Sequence, residues 1–390
     1  MIAMPAQDQD MVVDGIDCTT VLNTHLEWTP EFAVHLADGR SGRAACPRAD
    51  TPSVYEKGAD RRAVTARHVL AEARSALCGR PFGQTSFDQA LEAYRPRWGH
   101  AACYGLSAAH FEARRPGPGS GGPGMPRLLF NLLNGGLHAY SLPVAADFTE
   151  FLLVPRGTAM VPAIDAYRRL LPAARTALAD LPTRDVGGHR VHEVGPEPNK
   201  AALALVTALL QQTGLGDDFG LMVDASAGDW LHGDKYVLPV SGRRFDRDGL
   251  IGYWLELIDT FDLVMVEDPL AETDRAGWSA LRAARPPHCR LLGDNITSTC
   301  PERLPALAHC VDGVLLKPDQ AGSLSEARRF ARLAGRLGLP LIASARSAET
   351  DSPLISHVAV EFGAEYLKVG PFADFSSVLR TNELLRGAMR

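Results

Sequence analysis

Six short apolar runs, spaced along the later part of the chain, each lead into a polar or charged residue. Leu221–Val223 precedes Asp224, Leu263–Val266 precedes Glu267-Asp268, and Leu291-Leu292 precedes Gly293-Asp294-Asn295. Val314–Leu316 then precedes Lys317, Leu339–Ala343 leads to Arg346-Ser347, and Ala364–Leu367 precedes Lys368. Helix-like stretches at 199–213, 248–260 and 323–337 lie between them. Strand–helix alternation repeated this often predicts parallel strands joined by crossover helices. From Glu267 onward the polar ends are spaced by 27, 23, 29 and 22 residues, the length of a βα unit. The chain beyond residue 126 has the length of a (β/α)8 barrel, about 250 residues. A doubly wound sheet is second choice, because no G-x-G-x-x-G follows an early strand.

The run Arg115–Pro126, R-P-G-P-G-S-G-G-P-G-M-P, holds neither helix nor central strand and reads as a connector. Before it, Glu31–Leu36 alternates like a strand and ends in an Asp38-Gly39 turn. A second short strand follows near Arg43–Cys46, with helices over 62–78 and 86–114. The chain therefore divides into an α+β domain over 1–120 and a barrel domain over 121–390.

Composition narrows the function classes. With 40 basic against 46 acidic residues the formal charge is −6, which argues against nucleic acid or a membrane surface as partner. Only five basic residues are lysines: Lys57, Lys200, Lys235, Lys317 and Lys368. Seven cysteines in no C-x-x-C pair suggest neither a disulfide framework nor structural zinc. No secretory signal or 18-residue apolar run is visible, so the expected location is the cytoplasm.

In a parallel barrel the C-terminal strand ends converge on one face, where active sites sit. An isolated Asp at a strand end is ordinarily a cap, and an isolated Lys is ordinarily solvated; it is the whole series that carries meaning. Asp224, Glu267 and Asp294 form a hard oxygen set that suits Mg²⁺ or Mn²⁺ over zinc. Opposite them come Lys317 and Lys368. A lysine beside another cation loses proton affinity and serves as a general base. Metal and lysine together suit removal of a proton α to a carboxylate.

These residues resemble the enolases. N-L-L-N-G-G-L-H-A at Asn131–Ala139 and L-L-K-P-D-Q-A-G-S-L-S-E-A at Leu315–Ala327 are similar to enolase segments. V-E-D-P at Val266–Pro269, G-D-N-I-T-S-T at Gly293–Thr299 and S-A-R-S-A-E-T at Ser344–Thr350 follow in the same order. The N-terminal part is similar only through T-P-E-F-A-V-H-L-A-D-G at 29–39. The resemblance implies an N-terminal α+β capping domain before the (β/α)8 barrel, and one or two Mg²⁺ per active site. Asp224, Glu267 and Asp294 would hold the first ion, and Thr51, in P-R-A-D-T-P-S-V-Y-E, would complete a second site. Lys317 would be the base at C2 and Lys368 the partner of the substrate carboxylate. Glu150 and Glu193 would assist loss of the C3 hydroxyl, Arg346 and Ser347 bind phosphate, and His138 belong to a mobile loop. Enolases are commonly dimers, which implies a homodimer, although the family's R-S-E-R stretch reads Asp374-Phe375-Ser376-Ser377 here.

The departures lie near the substrate. Ala345 stands where enolases carry a pocket histidine, Thr149 replaces a glutamine and Val194 a glycine. The loop around Thr51 has lost two glycines and gained Pro52. A methyl group in place of an imidazole opens room for a larger second substrate or a group transfer onto the enol oxygen. The expected function is therefore that of a carboxyphosphonoenolpyruvate synthase of phosphonate antibiotic biosynthesis, taking 2-phosphoglycerate or phosphoenolpyruvate with a phosphonate donor. The alternative is a plain phosphopyruvate hydratase. A lyase acting on a non-phosphorylated acid and a non-catalytic descendant remain open behind these.

Overall fold

The computed structural model describes residues 9–48, 52–56, 66–115, 124–136, 141–186, 188–372 and 374–388. Strand β1 (Met11–Leu22) pairs antiparallel with β2 (Trp28–Leu36), which pairs with β3 (Ser41–Ala45); the two-residue β4 (Pro81–Phe82) joins the far side of β1. Helices α1 (Ala66–Leu77), α2 (Gln84–Glu92) and α3 (Arg95–Arg114) complete this α+β region. The expected hairpin is thus the outer part of a larger sheet. The long helix expected over 86–114 is broken twice: Pro96 opens α3 and cannot continue α2, and Gly99, with φ 78° and ψ 170°, kinks α3 itself. A Cβ at Gly42 would lie 2.1 Å from the Ala113 amide nitrogen, so only glycine lets α3 lie this close on the sheet.

From Arg127 the chain forms a closed eight-stranded barrel. Its strands are β5 (Arg127–Asn134) and β6 (Glu150–Pro155), then, after a β7–β8 hairpin (Thr183–Val186, His189–His192), β9 (Phe219–Asp224). Beyond a small three-stranded ribbon of β10 (Leu231–His232), β11 (Lys235–Val237) and β12 (Arg244–Phe245) come β13 (Leu263–Glu267) and β14 (Arg290–Gly293). The circle continues with β15 (Gly313–Leu316), β16 (Leu341–Ser344) and β17 (Tyr366–Pro371), and β17 pairs with β5. Six of these strands are the runs read from the sequence.

One feature departs from an all-parallel barrel: β6 runs antiparallel to both β5 and β9. The link between β5 and β6 holds no helix among its described residues, and the chain returns antiparallel. Two helices, Met160–Ala179 and Pro198–Gln212, then follow in succession before β9. The reversal has a chemical result. Glu150 begins its strand rather than ending it, yet it lies at the same barrel mouth as the C-terminal ends of its neighbours.

The barrel interior is a layer of apolar side chains drawn from every strand: Leu129, Leu152, Met222, Met265, Leu292, Leu315, Ile342 and Tyr366, none more than 3% exposed. Each contributes roughly 1.5–3 kcal/mol of burial. A filled interior leaves the chemistry to the mouth. Among the described residues no helix is long and apolar enough to cross a membrane.

Candidate active site

The register places three carboxylates on one rung. Glu150 of β6 is opposite Asp224 of β9, and Asp224 is opposite Glu267 of β13. Like charges side by side in a buried rung repel strongly unless a cation intervenes. Lys368, rising from β17 across the mouth, is that cation. Its Nζ lies 2.7 Å from Glu150 Oε2, 2.7 Å from Asp224 Oδ2 and 2.8 Å from Glu267 Oε2. Burial works against the Lys368 charge, but the Asp224, Glu150 and Glu267 carboxylates outweigh it and hold the ammonium well above the ordinary lysine range. Glu267 is also pushed up: burial and the neighbouring Asp224 raise its carboxyl well above the usual range.

Lys317 follows β15 and its Nζ pairs with Asp294 Oδ2. Here the structure corrects the expectation of a lysine with weakened proton affinity. Burial and Arg346 do oppose the charge on Lys317, but the Asp294 carboxylate in direct contact prevails, and the proton is held more tightly than usual. Thr299 accepts the Lys317 amide hydrogen bond at 3.0 Å and donates to Gln320 Oε1 at 2.8 Å, which fixes the lysine's backbone.

The turns after the strands are strained. Ser226, Asp268, Ser298 and Thr299 are non-glycine residues with φ between 43° and 48°. Such residues in the left-handed region cluster where a site is held in place by its surroundings. Asp268 shows how: its two carboxylate oxygens accept the amides of Asp294 at 3.0 Å and Asn295 at 2.9 Å. Asp268 thus positions the carboxylate that Lys317 touches. The motif V-E-D-P displays this second acid, but only the fold shows that it holds the backbone. Asn131, which donates to Glu150 Oε1 at 2.8 Å, is a second positioning residue the sequence reading did not assign.

A cavity of about 700 Å³ opens over these groups. Thr149, Glu150, Asp224, Asp294, Lys317, Ala345, Arg346, Ser347 and Lys368 all line it, so nine of the expected positions share one space. Glu267 lies beneath, 1% exposed, reached through Lys368. Arg346 is buried between two acids, with Nη2 3.0 Å from both Glu56 carboxylate oxygens and Nη1 3.5 Å from Asp319 Oδ2. Nη1 makes no hydrogen bond among the described residues.

Glu193 is the exception. It follows the β7–β8 hairpin, is about half exposed, and pairs with Arg184 of that hairpin at 3.4 Å. The structure does not bring it to the cavity, because its side chain follows the hairpin rather than the barrel mouth. Thr51 and His138 lie outside the described residues. Near Thr51, Ser53 is buried and donates to the Asn295 carbonyl at 3.0 Å, which ties this loop to the barrel mouth.

Among the described residues no three His, Cys, Asp or Glu side chains converge as they stand to hold an ion. The two lysine ammoniums occupy the space between the carboxylates instead. The charge balance nonetheless fits a divalent cation: Glu150, Asp224 and Glu267 share the single Lys368 ammonium, and Asp294 pairs with Lys317. Glu267 Oε1 is moreover buried with no hydrogen-bond partner among the described residues. A hard, all-oxygen set with an unused oxygen suits Mg²⁺.

Comparison with known proteins agrees with this architecture. The family model of the enolase C-terminal TIM barrel domain matches residues 124–388. The enolase of Acidothermus cellulolyticus is 31% identical over 408 aligned positions, covering 96% of this chain and 94% of that protein. The enolase of Mycobacteroides abscessus is 30% identical over 413 positions, with the same coverage. With the barrel, the reversed second strand and the ring of acids and lysines at its mouth, these matches place the chain in the enolase family of enzymes.

Proposed function

We propose that this enzyme removes the C2 proton of a phosphorylated three-carbon acid and acts as a carboxyphosphonoenolpyruvate synthase. The observation that carries the finer part is Ala345 beside Arg346 in a cavity of about 700 Å³. Such a volume is in the range that takes drug-sized ligands, about 300–1,000 Å³, and is generous for a three-carbon acid alone. A second phosphorus-bearing substrate accounts for the space.

Lys317 is the base. The substrate lies with C2 toward Lys317 and its carboxylate toward Lys368, which offers a fixed cation. Asp224, Glu267 and Asp294 would hold Mg²⁺, which supplies the positive charge a deprotonated acid needs. Lys317 takes a proton only after losing its own, so Asp294 must first turn from it. Glu150, held by Asn131 and Lys368, serves the C3 hydroxyl. Arg346 and Ser347 receive the phosphorus group, with Glu56 and Asp319 keeping the guanidinium in place until then. In the transfer, the phosphoryl group leaves the C2 oxygen for an oxygen of the phosphonate donor, breaking the ester's P–O bond; the freed enolate oxygen then bonds to the donor's phosphorus, and inorganic phosphate departs with the bonding pair. Glu193 has no part in this arrangement as folded.

A plain phosphopyruvate hydratase is the second reading, favoured by end-to-end similarity to two enolases. A spectrophotometric assay with 2-phosphoglycerate and Mg²⁺ separates them. Phosphoenolpyruvate formation at ordinary enolase rates overturns the synthase reading; slow or absent hydratase turnover supports it.

A further inference from the structure

Beyond the acids and lysines, the same cavity reaches a second cationic end. Asp374, Phe375, Ser376 and Ser377, at the start of the 14-residue helix Phe375–Ala388, line it together with Gly370 and Arg380. Arg380 is 3% exposed. Its Nη1 donates to the Val369 carbonyl at 3.0 Å, but Nε and Nη2 have no hydrogen-bond partner among the described residues. The carboxylate it pairs with, Glu349 Oε2, lies 3.9 Å from Nη2, too far for a hydrogen bond. Glu349 is held elsewhere, its Oε1 accepting the Arg346 amide at 2.9 Å. A buried guanidinium with unmade hydrogen bonds is costly to keep, more so than an uncharged group in the same place.

Two further observations point to what completes it. The first turn of a helix presents amide hydrogens without intrahelical partners and favours a negative charge. Gly370 brings the backbone close to both groups: φ is +89°, and a Cβ would crowd Ser377 Oγ at 3.3 Å and lie 4.0 Å from Arg380 Nη1. Asp351 and Asp374 also line this end, both open to solvent. Asp374 and Glu349 act on the Arg380 charge electrostatically, but neither carboxylate hydrogen-bonds its Nε or Nη2.

We propose that Arg380 and the first turn of helix Phe375–Ala388 form a second oxyanion subsite, which takes the phosphonate or carboxylate group of a second substrate. Arg346 receives one phosphorus group and Arg380 the other, so the two substrates lie end to end along one cavity. This rests on the two-substrate reading given above. An arginine suits the role because its planar fork meets a phosphonate or carboxylate with two hydrogen bonds.

The test is calorimetric titration of phosphonoformate into the full chain with Mg²⁺ and a saturating phosphoenolpyruvate analogue whose bridging ester oxygen is replaced by CH₂, so that no transfer contributes heat. One phosphonoformate per chain is expected to bind without displacing the analogue, which stands in for phosphoenolpyruvate throughout. Arg380→Gln is expected to weaken it about tenfold or more while phosphoenolpyruvate affinity changes less than about threefold. Simple competition between the two ligands, or unchanged binding in the variant, overturns the subsite. Should Arg380→Gln not fold, Arg380→Lys keeps the charge and loses the fork; about threefold or greater weakening of phosphonoformate alone is expected, and wild-type affinity counts against the proposal. Binding of both ligands in a chain that proves to be an ordinary hydratase leaves the subsite standing and removes the synthase reading. Competition in a chain that makes the carboxyphosphono ester does the reverse.

Discussion

Lys368→Met is the perturbation on which the charge balance of the barrel mouth depends most. The lysine Nζ touches Glu150, Asp224 and Glu267 at 2.7–2.8 Å, and its side chain is 7% exposed. Methionine keeps the length and apolar stem but leaves three buried acids without their shared cation. Removing one partner of a buried ion pair costs about 3–5 kcal/mol. At about 2 °C or more per kcal/mol for a large domain, the metal-free variant should melt at least 6–10 °C below wild type. Mg²⁺ should then act differently on the two proteins. In wild type it competes with the lysine for the carboxylates; in the variant it meets no competitor. At about 100 times its dissociation constant it restores roughly 2.7 kcal/mol, so its stabilisation of the variant should exceed that of wild type. Thermal melts by circular dichroism, with and without Mg²⁺, read both effects. A loss below about 1 kcal/mol, or equal stabilisation of both proteins by Mg²⁺, refutes the claim that Lys368 stands where a cation belongs.

Other consequences follow from particular contacts. Asp268→Asn removes the charge that accepts the Asp294 and Asn295 amides, and should weaken Mg²⁺ binding about 10–100-fold in calorimetry with little change in fold; unchanged affinity denies Asp268 its positioning role. His357 lies between Glu112 at 2.8 Å and Glu383 at 3.0 Å. Burial opposes its charge, but the two carboxylates outweigh it and raise its pKa, while the His357 hydrogen bond takes Glu383 down to about 2. The histidine's contribution is therefore full below about pH 6.5 and is lost as pH rises through its raised folded value; the Glu383 contribution is present above about pH 4.5 and is lost as pH falls toward 2. The melting-temperature deficit of His357→Gln should peak near pH 5–6 and shrink on either side, and a deficit independent of pH contradicts the ion-pair account.

The strands legible in the sequence are those that run parallel and end in a charged residue, because a buried apolar run followed by Asp, Glu or Lys is a local signal. β6 escaped because it is reversed: Glu150 comes before Phe151-Leu152-Leu153, so the acid announces the strand instead of closing it. β1 escaped because its alternation is blurred by Asp17, Cys18, Thr19 and Thr20, with neither face fully covered. Pro96 did mark the break between α2 and α3, a signal present in the sequence that alanine and leucine spacing overrode. For the site, residue identity at strand ends carried most of the information, since barrel topology alone brings those ends together. What it did not carry was protonation and orientation. The tight hold on the Lys317 proton depends on Asp294 turning toward it, and the distance of Glu193 from the cavity depends on a hairpin the sequence did not reveal. Arg380 lay in the segment where the family pattern is lost, so only its burial and its unmade hydrogen bonds drew notice.

The central claim is that Lys317 removes the C2 proton. Incubating 2-phosphoglycerate with the enzyme and Mg²⁺ in D₂O, and following the C2 proton by NMR, tests it whether or not the product is an ordinary enolpyruvate. The account predicts loss of the C2 proton signal with wild type and at least a thousandfold slower exchange with Lys317→Ala, in keeping with the roughly 10²–10⁴-fold contribution of a positioned base. Exchange at the wild-type rate in Lys317→Ala contradicts it.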